Sequence, residues 1–177
     1  MAQRRATTQG GAAMTMEIQH LMWKIEGIRD AFHTAVFADR DVDAALACVG
    51  EDGVLETVSG VVTARGPDDI RRFLVEDVID HLPSGLEFTR VSKTSDQRRV
   101  AHEMTVRFTH DRELPWLLPG VAPTGRDVET SAVSVASFKH ASKFGKVSSR
   151  ILAYRITWDR LDVMAQLGLL DRETVAG

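Results

Sequence analysis

The sequence predicts an α+β domain, and three observations carry the prediction. Apolar residues recur at three- and four-residue steps through the first half of the chain. After Pro83 the period changes to two, over four long runs. A helical pattern then returns at the end, in "RLDVMAQLGLL". Helices segregated from antiparallel strands define the class. A curved sheet with helices on its concave side would enclose a pocket.

The elements follow in order. Ile18, Leu21, Met22, Ile25, Ile28, Phe32, Ala35 and Val36 predict a helix from about Met16 to Ala38. "DRDVDAALACVG" predicts a short second helix, with Asp41 as N-cap and Gly50 as its stop. "GVLETVSGVV" alternates as a strand and breaks at Gly60. "RGPDDIRRFLVEDVIDHLP" predicts a third helix: Pro67 suits its first turn, Asp68 and Asp69 complement its dipole, and Pro83 lies just past its end. "GLEFTRVSKTS" and "RRVAHEMTVRFTH" form a hairpin around Ser95, Asp96 and Gln97. "RDVETSAVSVASFKH" and "KVSSRILAYRITWD" form a second, with its turn over Ala141 to Gly145. Between them, "ELPWLLPGVAPTG" has three prolines and no regular period, while Trp116, Leu117 and Leu118 pack it down. Asp159 is placed to cap the terminal helix.

The chain has 177 residues, which suits one domain over 16–171, between a disordered tail at 1–15 and a short tail at 172–177. Hydrophobic content of 44% and charged content of 27% are ordinary globular values. A net charge of −3 and isolated arginine pairs exclude a nucleic-acid footprint. No apolar run reaches the roughly 20 residues that span a bilayer, and the leader has no secretory h-region. A cytoplasmic protein is expected. Cys48 is the only cysteine, so no internal disulfide forms, and it reads as a small apolar helix residue.

Three stretches now carry a resemblance: "GVLETVSG…ARGPDDIRRFL", "FTHDRELPWLLPGVAPTGRDV" and "GKVSSRILAYRITWDRLDVMAQLGLLD". Together with the element order they resemble the SnoaL-like branch of the nuclear-transport-factor-2-like superfamily, over roughly Glu17 to Asp171. The resemblance implies a cone-shaped half-barrel, its curved antiparallel or mixed sheet wrapped around N-terminal helices. It implies a mouth for a hydrophobic small molecule and a homodimer through the outer sheet face. No cofactor is expected, and no metal: His102 and His110 stand eight residues apart along a strand, and Glu103 points the other way. In the hydrolase and cyclase branches the last strand commonly reads Arg-Asp-Tyr-aromatic-Asp, with the first aspartate working inside the cone. Here "RITWD" puts Ile156 at that position, and Ile156 cannot move a proton.

Candidates therefore come from alternation. Val100, His102, Met104, Val106, Phe108 and His110 share the more apolar face of one strand and should point toward the helices. Val54, Glu56 and Val58 share another face, as do Leu152, Tyr154, Ile156 and Trp158. Glu56, desolvated between two valines, suits a general acid or base; its other reading is a solvated or structurally paired acid. His102 suits a proton shuttle, or is satisfied locally. Tyr154 can donate to a substrate oxygen, or is an aromatic wall. His33 reaches the cavity if its helix face meets the sheet, and is otherwise surface. His110 contacts either the ligand or the packed loop. Phe37, Val54, Met104, Val106, Phe108, Trp116, Ile156 and Trp158 complete the expected substrate-binding wall.

The expected function is cofactor-free acid–base chemistry (cyclisation, isomerisation or dehydration) on a hydrophobic metabolite of polyketide or terpenoid character. Glu56 or His102 removes a proton and Tyr154 supports the oxyanion. A non-catalytic binding or partner protein of the same fold is the alternative, and an epoxide or lactone hydrolase the second.

Overall fold

The computed structural model describes residues 6–57, 63–143 and 146–170. Helix α1 (Ala6–Thr34) runs into a π-helical turn over Ala35–Asp39. It begins ten residues before the apolar period does, so 6–15 are helical where an irregular leader was expected. Arg40 ends it in the left-handed conformation, φ 56°, which lets the chain reverse into α2 (Val42–Cys48). Asp41 caps α2 by accepting from the Ala44 N–H at 2.9 Å.

Strand β1 (Val49–Thr57) and the three-residue β2 (Thr63–Arg65) follow and pair antiparallel. The sequence predicted one early strand; Gly60, its expected break, lies outside the described residues. Helix α3 (Gly66–Phe73) has Pro67 in its first turn and continues through a π turn (Leu74–Val78) and a 3₁₀ turn (Ile79–His81). The hairpin of β3 (Ser84–Ser95) and β4 (Arg99–Thr109) turns on Asp96, whose carboxylate accepts from the Arg98 and Arg99 N–H groups. β5 (Asp127–Lys143) and β6 (Lys146–Trp158) form the second hairpin. Their pairing extends to Lys143–Lys146, so the turn is shorter than Ala141 to Gly145. Helix α4 (Arg160–Gln166) is capped by Asp159, which accepts from the Asp162 N–H at 3.0 Å.

The six strands form one unclosed sheet in the order β2-β1-β6-β5-β4-β3. β1 and β6 are parallel and every other pair is antiparallel. The class is α+β, with N-terminal helices laid into the concave face of a curved mixed sheet. β4 alternates cleanly: Val100, His102, Met104, Val106 and Phe108 are buried, while Glu103 and Arg107 are exposed. Their side chains meet Ile25, Phe32 and Val36 of the first helix in one continuous core.

Two irregularities interrupt the expected pattern. Between Val49 and Val54, β1 advances five residues while β6 advances two, from Ile151 to Ala153. The three extra residues fold β1 back on itself and break its ladder with β6 there. Glycine makes the fold-back possible, because a Cβ on Gly53 would sit 2.1 Å from Val49 Cγ1 and 2.8 Å from the Gly50 oxygen. In β6, Ser137 pairs with Ala153 and Phe138 with Ile151, so Leu152 bulges out and is exposed while Ile151 is fully buried.

Candidate functional site

The pairing of β1 with β6 decides the fate of Glu56. Leu55 and Thr57 stand beside Tyr154 and Ile156 on the concave side, and Glu56 stands beside Arg155 on the convex side. Its carboxylate accepts from Arg155 Nε at 2.8 Å and lies 2.7 Å from the other guanidinium nitrogen. The expectation of an inward, desolvated Glu56 is corrected: it is an outer-face ion-pair partner, one third exposed. Val54 moves with it to the convex face, paired with Arg65 and Ala153, and does not line the cone. Val58 lies outside the described residues.

His102 does project inward, and it meets residues the sequence reading missed. Arg29 of α1 is 3% exposed. Its guanidinium donates to Ser134 Oγ at 2.6 Å, to Asp30 Oδ1 at 3.1 Å and to Met104 Sδ at 3.5 Å. Asp30 Oδ1 lies 3.8 Å from His102 Nδ1, one small movement from a hydrogen bond. His102 Nε2 is buried with no partner among the described residues. A signal for Arg29 was present: it stands four residues after Ile25 and three before Phe32, inside the apolar stripe of α1.

One turn further along α1, His33 Nδ1 lies 3.2 Å from the Tyr154 hydroxyl. Burial, then the Arg29 charge, pushes the His33 imidazole down to about 3. The same two causes lower His102 to about 4, with Asp30 opposing. Both rings are neutral at pH 7. Burial raises the Tyr154 phenol, against Arg29 and Ser134, which pull the other way. The polar set around Arg29 therefore holds one fixed cation, two neutral imidazoles and a neutral phenol, with the Asp30 carboxylate at its rim.

Two spaces adjoin these groups. A groove of about 290 Å³ runs between α1 and the edge strand β3, bordered by Arg29, Asp30, His33, Phe88, His102 and Met104. Deeper in the cone, a cavity of about 40 Å³ is bordered by Phe37, Leu55, Trp116, Tyr154 and Ile156, and Glu56 also touches it, although its carboxylate is taken by Arg155. That is room for a few waters, so the expected hollow is largely filled. Aromatic rings fill it: Phe37 and Phe88 are 4.9 Å apart, Trp116 and Trp158 5.3 Å, and Phe88 and Trp158 5.9 Å.

The remaining expected contacts divide. Val106 and Phe108 are core and border neither space. His110 is fully buried and serves the loop: Nδ1 accepts from the Thr124 N–H, and its carbonyl accepts from Thr124 and Gly125. It is not a ligand contact in this arrangement. Among the described residues no cluster of three His, Cys, Asp or Glu side chains could hold a metal ion, and no helix is long and apolar enough to cross a membrane.

The unclosed sheet and its helices are shared with known structures. AclR from Streptomyces galilaeus superposes with a TM-score of 0.59 at 18% identity, covering 85% of this chain and 99% of its own. An LEH-like epoxide hydrolase from M. tuberculosis gives 0.53 at 20% identity, covering 86% and 92%. A ketosteroid isomerase-like protein from Erwinia carotovora atroseptica gives 0.54 at 17%, covering 76% and 93%. At these identities the likeness speaks for the fold alone. No curated protein matches the chain by sequence. The SnoaL-like domain model, however, matches residues 28–144, a span that begins just before Arg29 and takes in His33, His102 and Ser134. The chain belongs to the SnoaL-like domain family.

Proposed function

We propose that this chain is an acid–base enzyme, needing no cofactor, that isomerises or cyclises a hydrophobic carbonyl metabolite in the cytoplasm. One observation carries the reading: the buried Arg29 guanidinium sits 2.6 Å from Ser134 beside two neutral imidazoles, with the half-exposed Asp30 carboxylate 3.1 Å away at the rim. A fixed cation in an apolar site is suited to charge that develops during reaction. Asp30 beside Nδ1 leaves Nε2 of His102 to remove the proton next to a substrate carbonyl. The C–H electron pair moves to the carbonyl oxygen, and Arg29 with the Tyr154 phenol stabilises the enolate. Reprotonation at another carbon isomerises the substrate; attack on a second carbonyl cyclises it. An imidazole lowered to about 4 is a weak base, so the substrate must carry an already acidic C–H bond.

Hydrogen–deuterium exchange of 2-tetralone in D₂O tests this without the native substrate. The protein should accelerate α-proton exchange, and His102→Asn should remove about 10²–10⁴-fold of that acceleration. Exchange no faster than in buffer would end the proton-transfer reading.

The small cavity, about 40 Å³, and Ile156 on its wall favour a second reading, a binding protein without chemistry. Binding of 2-tetralone with no exchange would support it. The convex face carries Val133 at 41% and Leu152 at 39% exposure, which supports a homodimer through that face; sedimentation velocity giving only monomer would remove it.

A further inference from the structure

We infer that the buried indoles of Trp116 and Trp158 hold an acceptor oxygen, carbonyl or ether, of a small ligand inside the cone; this rests on the reading that the cone takes such a molecule. An indole has one polar atom, and that atom only donates. Trp116 is 5% exposed and Trp158 8%. Both Nε1 atoms are buried with no acceptor among the described residues. Buried polar groups in native proteins are nearly always paired, so two adjacent orphan donors indicate a missing acceptor.

The two rings lie 5.3 Å apart. Trp116 borders the 40 Å³ cavity together with Tyr154 and Ile156, and Trp158 packs directly behind it. Its setting is fixed. The loop that carries it is closed at its base by His110, which bonds to Thr124, Gly125 and Arg126. Its tip is closed by Leu117 and Leu118 N–H groups on the Leu114 oxygen.

Phe37 and Phe88 stand between this wall and the polar groove. His33 contacts both rings, at 4.7 and 4.6 Å. A ligand entering beside Arg29 and His102 meets these two rings first. Turning them aside joins the groove to the cavity. The ligand is then two-ended: its reacting carbon stays near the groove, its apolar body replaces the rings, and a distal oxygen reaches the indoles.

Indole N–H resonances of the full-length, ¹⁵N-labelled protein test the assignment. The probes are 2-acetylnaphthalene and 2-ethylnaphthalene, alike in shape but differing in the oxygen. The ketone should move the Trp116 and Trp158 indole protons downfield, and the hydrocarbon should not. Trp23, 68% exposed, is the internal reference. Trp116→Phe should weaken ketone binding about three- to tenfold and hydrocarbon binding less than about twofold. Equal affinity for the two probes, with unmoved indole protons, would overturn the assignment and leave the pocket reading intact. Long-lived water on the indoles that persists in the ketone complex would also overturn it. No binding of either probe would overturn the pocket and the assignment together.

Discussion

His33 on α1 and Tyr154 on β6 hold each other across the cone, Nδ1 to phenol oxygen, at 3.2 Å. Burial keeps both neutral, the imidazole by lowering it and the phenol by raising it. The contact ties the helix to the parallel-paired strand through one hydrogen bond in an apolar surrounding. Tyr154→Phe should cost about 1–3 kcal/mol of unfolding free energy, because a buried nitrogen loses its partner. Urea denaturation checks this, and a loss below about 0.5 kcal/mol would show that the bond contributes nothing net.

The same burial predicts how stability depends on pH. In the unfolded chain both imidazoles take a proton near 6.5; in the folded chain His33 waits until about 3 and His102 until about 4. Between those values the unfolded state binds more protons, so stability falls as pH falls. The slope approaches about 1.4 kcal/mol per pH unit for each histidine. Above pH 7 neither contributes to the slope. Urea midpoints from pH 7.5 to 4.5 measure it, and His33→Asn and His102→Asn should each flatten the curve. An unchanged slope in both variants would assign the acid sensitivity elsewhere.

Glu56→Gln separates the two faces of β1. The pair with Arg155 is partly solvated, at 33% and 58% side-chain exposure. Its loss should change stability by less than about 1 kcal/mol and leave 2-tetralone exchange at the wild-type rate. A large fall in exchange would return Glu56 to the site.

Gly53→Ala attacks the fold-back itself. The new methyl would overlap Val49 Cγ1 and the Gly50 carbonyl, and overpacking of this kind costs about 1–3 kcal/mol. Thermal unfolding measures the loss. A variant as stable as the parent would mean that β1 can regain regular pairing there.

Much of this architecture was legible in the chain, and the failures have local causes. The alternation of β4 fixed the inward direction of His102 and Met104 because that strand pairs with β5 without a break. Asp41, Asp96 and Asp159 all accept the backbone N–H groups their positions suggested. The face of Glu56 was not legible, because Val54 and Leu55 are both apolar and both buried, so β1 offers no clean alternation to choose by. Leu152 failed because a strict period of two carries no sign of one bulged residue. Arg29 and Asp30 went unread because charged helix residues are by default solvated, and nothing local says that Ser134, 105 residues away, waits for the guanidinium.

The parallel pairing of β1 with β6 also sets a timetable. Glu56 meets Arg155 across 99 residues of chain, so the first strand is synthesised long before its central neighbour exists. Until the ribosome releases the final segment, Leu55 has only the three-residue β2 beside it and the nascent helices lack the central strand of their floor. Long-range pairings of this sort slow folding and leave apolar surface open to capture. A truncation after β5 would thus yield not a smaller version of this protein but a chaperone client.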